Sequence, residues 1–346
     1  MFATKSEAFL QVEAGHTAKL IELLGQGGID TEDLLVERMS SRAAFCNTVY
    51  RVESGAAEER QIVIAKIFSD LALRRMDPEF AVGEIDRIVS QHGQLVPEIL
   101  ATSACGILME NCHGSVLTQE TIHKFPAKAE CVVTARSLAH LHSIPLTRQK
   151  SSKPAQQQMP ISDKTNMLWR ACDVMLDLSE AAGNPLPYSR WGWSIGKLRE
   201  HVEHHKFELN KLSLPLVDIG HGDCKPGNVF YTQSPPSAKF IDMELAGTHY
   251  RAFDLAKFFR TDDPTQSTQQ NKSTFLHAYC EGCPNQAVEI KSLREEVDLL
   301  LPMTWLEAAI FFVCMASSCK DQAQLEFWNN LASNRLSNYE RAAAVY

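Results

Sequence analysis

His221-Gly222-Asp223-Cys224-Lys225-Pro226-Gly227-Asn228, followed by Phe240-Ile241-Asp242-Met243-Glu244, is the stretch on which the fold turns. Phosphoryl transfer to an alcohol needs a carboxylate to orient the hydroxyl and accept its proton. It also needs oxygen ligands that hold Mg2+ against the phosphates, and a cation that offsets phosphate charge. Asp223 supplies the carboxylate. Asn228 stands beyond Pro226-Gly227, a turn from which it can reach back toward a shared metal. Asp242 follows an apolar β segment, 238–241, and so falls at a strand end beside that loop. Hard oxygen ligands of this kind suit magnesium, which takes water and substrate phosphates for the rest of its shell.

Outward from this stretch, hydrophobic periodicity divides the chain in two. Upstream, residues 4–24 read as a helix stopped by Gly25-Gln26-Gly27-Gly28. The stretches 45–52 and 61–68 alternate like the strands of a hairpin, and a helix is expected over 78–91. A short strand, 107–110, is closed by Gly114. Downstream, helices are expected over 127–142, 165–182 and 195–212, with a Ser/Gln/Pro loop at 150–160. Short β segments at 216–219 and 229–232 precede the one ending at Asp242, and the chain is helical from 253 onward. The reading is an α+β protein: an N-terminal lobe over 1–112 and a mostly helical C-terminal lobe over 113–346. Their joint would make a cleft, a usual place for a ligand.

The 346 residues are 45% hydrophobic and carry a formal net charge of −8. No Lys/Arg run is present, so nucleic acid is not an expected partner. The ten cysteines are scattered, several within apolar runs, as free thiols are in a reducing compartment. Cys280-x-x-Cys283 lacks a second pair at zinc-finger spacing and reads as a helix end. The apolar run 308–316 falls short of the ~20 residues of a membrane span. A cytoplasmic protein without membrane insertion is expected. His201 and His205 lie one turn apart on a helix that is polar all round, so they read as a solvated face before a metal site.

The motif His-Gly-Asp-Cys-Lys-Pro-Gly-Asn at 221–228 resembles the catalytic loop of the aminoglycoside phosphotransferase and protein-kinase-like superfamily. More narrowly, Ile241-Asp242-Met243-Glu244-Leu245-Ala246-Gly247 and Tyr250-Arg251-Ala252-Phe253-Asp254 are similar to choline/ethanolamine kinases. So are Asn47-Thr48-Val49-Tyr50-Arg51-Val52 and the helix with Leu138-Ala139-His140-Leu141-His142, all in the family's order. The resemblance implies a bilobal protein-kinase-like fold, ATP as co-substrate, Mg2+ and an amino-alcohol acceptor, ethanolamine or choline, in phospholipid biosynthesis. Homodimer formation is left open.

By the same resemblance Asp223 is the base and Lys225 contacts the γ-phosphate. Asn228 and Asp242 hold metal, and Glu244 joins them or faces the substrate. Lys66, in Val63-Ile64-Ala65-Lys66-Ile67, grips the α/β-phosphates with Asn47 nearby. Its partner is Glu84 or Glu79. Met109, Glu110, Asn111 and Cys112 offer backbone groups to adenine, and Asp254 braces the catalytic loop. The phosphate loop departs from the family, since 40–46 holds no glycine. The aromatic cage departs as well. Tyr250, Trp305 and Glu307 are the substrate candidates, a carboxylate such as Glu307 suiting a primary amine.

Overall fold

The computed structural model describes residues 12–13, 15–31, 33–39, 47–55, 60–123, 129–146, 166–183, 192–261, 266–283 and 288–345. The glycine-free stretch 40–46, the expected loop 150–160 and the first part of the expected leading helix lie outside these. Contacts divide the chain into two compact units. The first holds Met1–Ser115 with Lys239–Glu244, and the second holds Val116–Ala238 with Leu245–Tyr346.

The first unit is built on an antiparallel sheet. Its strands are β1 (Leu34–Arg38), β2 (Asn47–Ser54), β3 (Gln61–Phe68), β4 (Ile99–Ser103) and β5 (Gly106–Glu110), in the order β1-β2-β3-β5-β4. Side chains alternate across the pleat, so the register fixes which face each one serves. Tyr50 pairs with Ala65, and Lys66 with Ile107. Val63, Ala65 and Ile67 turn to one face. There they pack with Tyr50, Val52 and Leu108 in a cluster that takes in Leu20, Leu23 and Leu24 of α1 (His16–Gln26). Lys66 and Phe68 belong to the opposite face, where the Lys66 ammonium lies 4.9 Å from the Phe68 ring centroid. At Gly106 a Cβ would meet the Lys66 carbonyl oxygen at 2.7 Å, so the close approach of β5 to β3 requires glycine.

Sequence and structure differ here in four elements. Of the helix expected over 78–91 only α3 (Glu84–Ser90) forms, and α2 (Asp70–Arg75) lies upstream, where no helix was expected. The bounds have local causes. Ser69 caps α2, its hydroxyl accepting from the Ala72 amide at 3.2 Å. Gly83 has φ 74, a left-handed conformation that ends one path and starts the next. Strands β1 and β4 were not expected at all. Each spans five residues, too short for alternation alone to announce it.

The second unit is mainly helical. It contains α4 (Gln119–His123), α5 (Ala129–Ser143), α6 (Met167–Ala182), α7 (Ile195–Lys211), α8 (Arg251–Phe258), α9 (Gln266–Gly282), α10 (Ile290–Ser318) and α11 (Gln322–Ala343). Asn166, Ser194 and Asp321 cap α6, α7 and α11 with their side chains. Helix α10 packs against α6, α8, α9 and α11. By length and composition alone it could cross a membrane, yet 78% of its most apolar window is buried inside the unit, which makes it the core helix. Of the short strands, β7 (Leu216–Gly220) pairs antiparallel with β10 (Gly247–Tyr250). Strands β6 (Ser115–Val116), β8 (Val229–Gln233) and β9 (Pro236–Phe240) complete the elements, and β9 leads into Asp242.

The expected solvated histidine face on α7 is a contact instead. His201 Nδ1 and His205 Nε2 lie 2.9 and 2.8 Å from the Tyr339 hydroxyl of α11. Buried Leu198, Val202 and Leu209 give the helix the apolar stripe that its mean composition hid.

Candidate functional site

In the second unit residues 221–228 follow directly from β7. Gly222 has φ 78, and a Cβ there would meet the Leu245 carbonyl oxygen at 2.5 Å, so only glycine makes this corner. After Asp223 the backbone turns back in one short helical turn, Pro226–Asn228, which Pro226 opens. The Asn228 amide hydrogen-bonds the Lys225 carbonyl at 2.8 Å. The Asn228 side-chain Nδ2 then donates to the Asp223 carbonyl at 3.0 Å and to Asp223 Oδ2 at 3.1 Å. The spacing read from sequence thus places Asn228 on Asp223 itself.

Asp254, on the first turn of α8, braces this loop. Its carboxylate accepts from the backbone amides of His221 at 2.7 Å and Gly222 at 2.9 Å. It also pairs with His142 Nε2 at 3.0 Å, while His142 Nδ1 lies 2.8 Å from the Tyr279 hydroxyl. Burial works against the Asp254 charge, but the bond to His142 and the fields of three histidines outweigh it and hold the carboxyl below its ordinary range.

One contact on Asp223 had no counterpart in the sequence reading. Lys257, also on α8, is buried and donates to the Gly222 carbonyl at 3.1 Å. It pairs with Asp223 Oδ1 and with Glu307 Oε2, each at 2.9 Å. Lys225 reaches Asp223 Oδ2 at 2.7 Å. Burial again opposes the charge on Asp223, and the two ammoniums override it, so this carboxyl lies well below its usual pKa. The signal in the sequence was a lysine inside the apolar run Phe253–Phe259, three residues after the brace.

The substrate candidates come out differently from expectation. Glu307 is buried and paired with Lys257, so it is neither a solvated residue nor an open receiver for an amine. Two guanidiniums lie over the Trp305 ring, Arg260 at 4.9 Å and Arg335 at 5.3 Å from its centroid. The ring thus already carries cation–π contacts of the kind a substrate ammonium would make. The Tyr250 hydroxyl is buried, accepting from Trp169 Nε1 at 3.3 Å and donating to Asn210 at 3.4 Å.

In the first unit Lys66 and the Asp-Met-Glu segment form one network. Lys66 pairs with Asp242 Oδ1 and, at 3.3 Å, with Glu244 Oε2. Burial would depress the lysine pKa, but Asp242 and Glu244 outweigh it and hold it above the ordinary value. The carboxylate expected at Glu84 or Glu79 is not the partner. Glu84 accepts from the Ala81 amide at 2.8 Å in the turn before its helix, and Asp86 of α3 adds to the field on Lys66 instead. Buried Arg75 donates to Glu244 Oε1 at 2.6 Å, and Asn47 donates to Oε2. Asn47 Oδ1 accepts from the Ser69 amide at 3.2 Å. With both oxygens engaged, Glu244 anchors the segment to β2, β3 and α2. The Glu110 amide is spent on the Glu98 carbonyl at 2.9 Å, so of the expected adenine contacts Asn111 and Cys112 lie beyond the strand.

Among the described residues no group of three or more His, Cys, Asp or Glu is arranged to hold a metal. The donors named for magnesium are of another kind. They are the Asp242 carboxylate, whose residue adopts φ 69, and the Asn228 amide oxygen. Hard oxygens completed by phosphate and water are what magnesium takes, so the donor chemistry fits.

Two histidines, buried His249 and half-buried His205, predict a pH dependence. His249 stacks on Phe253 with centroids 5.4 Å apart, and burial pulls its pKa down to about 4. His205 is pulled down to about 4 for the same reason. An unfolded histidine binds its proton near pH 6.5, so between there and pH 4 the unfolded chain holds more protons. Stability is therefore present above pH 6.5 and lost as pH falls, by up to about 1.4 kcal/mol per pH unit for each such group. Denaturant unfolding of the wild type and His249→Gln at pH 7 and pH 5 checks this. The variant is expected to lose less on acidification, and an equal loss contradicts the assignment.

Fold and loop together define a protein-kinase-like molecule, and comparison with known proteins narrows the class. The choline/ethanolamine kinase family model matches residues 36–340, and the chain belongs to that family. It is 30% identical over 172 residues to an ethanolamine kinase of Drosophila melanogaster, across 48% of this chain and 30% of that protein. To the probable ethanolamine kinase A of Dictyostelium discoideum it is 24% identical over 265 residues, covering 71% of this chain and 66% of that protein. The chain thus spans less than two thirds of either relative. Its fold is similar to that of a Plasmodium vivax ethanolamine kinase, with TM-score 0.68, 17% identity, and 93% and 87% of the two chains covered.

Proposed function

We propose that this chain is an ATP- and Mg2+-dependent kinase that phosphorylates the hydroxyl of a small amino alcohol, ethanolamine ahead of choline. The observation that carries the reading is the Asp223 carboxylate, held ionised by Lys225 and Lys257 on a loop braced by Asp254. In a loose phosphoryl-transfer transition state the alcohol needs little deprotonation before bond formation, so an acidic carboxylate serves by orienting the hydroxyl and taking its proton late. Asp242 and Asn228 would hold magnesium, which supplies neutralisation of phosphate charge. Lys66 would exchange Asp242 for the α/β-phosphates, and Lys225 would contact the γ-phosphate. Asn111 and Cys112 would meet adenine through their backbone. Both curated relatives carry ethanolamine in their names, which favours that acceptor. The cysteines among the described residues are free, in keeping with a reducing, cytoplasmic setting.

A second reading has its own observation. Two arginines lie over the Trp305 ring and Glu307 is paired with Lys257, which favours a small alcohol that is not recognised through an ammonium. Turnover of ethanolamine, choline, an aminoglycoside and neutral polyols at fixed MgATP separates the two. Ethanolamine is expected to show the highest kcat/KM. A neutral alcohol ahead of it selects the second reading, and a strong preference for choline contradicts the primary-amine argument.

A further inference from the structure

Two lysines hold Asp223, and they differ in freedom. Lys225 reaches Oδ2 from a side chain that is 33% exposed. It can leave for a phosphate oxygen without disturbing the interior. Lys257 reaches Oδ1 from a side chain 2% exposed, and it is fixed by the Glu307 carboxylate and the Gly222 carbonyl as well. It stands three residues after Asp254 on α8, on the same face, so one helix holds both the backbone of the loop and the carboxylate the loop presents. When Lys225 turns to the nucleotide, Lys257 is the cation that remains on Asp223.

We propose that Lys257, anchored by Glu307, is the positioning residue that holds the Asp223 carboxylate in place to take the acceptor hydroxyl's proton as the γ-phosphoryl passes from ATP to that oxygen. The inference rests on the assignment of Asp223 as the base. An ammonium buried alone would be costly, and a second carboxylate makes its burial tolerable. That is the part of Glu307, which lies on the core helix α10. A carboxylate released from this grip can rotate, and a misplacement of about 1 Å in a reacting group costs on the order of 10²-fold in rate.

The experiment compares the full-length wild type with Lys257→Met, Lys257→Arg and the double variant Lys257→Met/Glu307→Gln. The double variant removes both charges of the buried pair and so avoids stranding one of them. Kinetics, ATP binding by calorimetry, melting temperature and crystal structures are read for each. Lys257→Met and the double variant are expected to lose about 10²-fold in kcat, with KM for ATP and its binding unchanged. The double variant should melt near the wild type, and Lys257→Arg should recover most of the rate. In crystals without Lys257 the Asp223 carboxylate should leave its wild-type rotamer. Wild-type kcat in a folded double variant overturns the proposal, and so does a loss confined to melting temperature. If the wild type phosphorylates no alcohol, the proposed function fails separately. The Asp223 rotamer then decides the positioning role, and an unchanged rotamer overturns it.

Discussion

Asp223→Ala is expected to lower phosphoryl transfer by about 10³-fold while ATP still binds, within the range for loss of a positioned acid–base group. The fold should survive the change. Lys257 keeps Glu307 and the Gly222 carbonyl, and Lys225 is exposed enough to find water. The lost group is the one proposed to align the acceptor hydroxyl, so the deficit should appear in kcat with little change in KM for ATP. Steady-state kinetics with calorimetric ATP binding measures both. Retained turnover contradicts the assignment of the base. Loss of ATP binding alongside turnover makes Asp223 a structural element.

The second large effect is on stability. Asp254→Ala removes one carboxylate that serves the amides of His221 and Gly222 and the ring of His142. All three donors belong to buried residues, so each is left unsatisfied where water cannot replace the carboxylate. Breaking a buried charged contact of this kind costs about 3–5 kcal/mol. The variant should therefore unfold at markedly lower denaturant concentration and lose activity with it. Asp254→Asn should recover only part, because its amide accepts through one oxygen in place of two. Chemical denaturation of the three forms tests this, and an Asp254→Ala curve that overlays the wild type contradicts the brace.

The geometry of the loop 221–228 was legible in the sequence because it is local. Asp223 and Asn228 are five residues apart, Gly222 makes the corner before them, and Pro226 opens the turn between them. Long periodic helices were legible for the same reason. Helices α5, α6 and α7 begin and end within about two residues of their expected bounds, the ordinary uncertainty of helix ends. What stayed hidden depends on residues far apart in the chain. Arg75 meets Glu244 across 169 positions, and Lys257 meets Glu307 across 50. Neither residue type announces a partner, and a lysine in an apolar run reads as an isolated anomaly until the opposing carboxylate is placed. The partner of Lys66 was missed for a related reason: spacing offered Glu84 and Glu79 and decided between neither, and the Glu84 carboxylate accepts from the Ala81 amide instead. The surroundings of the substrate candidates were least legible, because Trp305 and Tyr250 are aromatic groups whose contacts are set by the arginines, the tryptophan and the asparagine around them.

The most direct test of the central claim is phosphorus NMR of the wild-type protein with MgATP and ethanolamine. The account predicts a phosphomonoester resonance growing in step with ADP, absent when the metal is chelated or Asp223 is alanine. ATP that stays intact, or that yields only inorganic phosphate at a rate indifferent to any added alcohol, would contradict it.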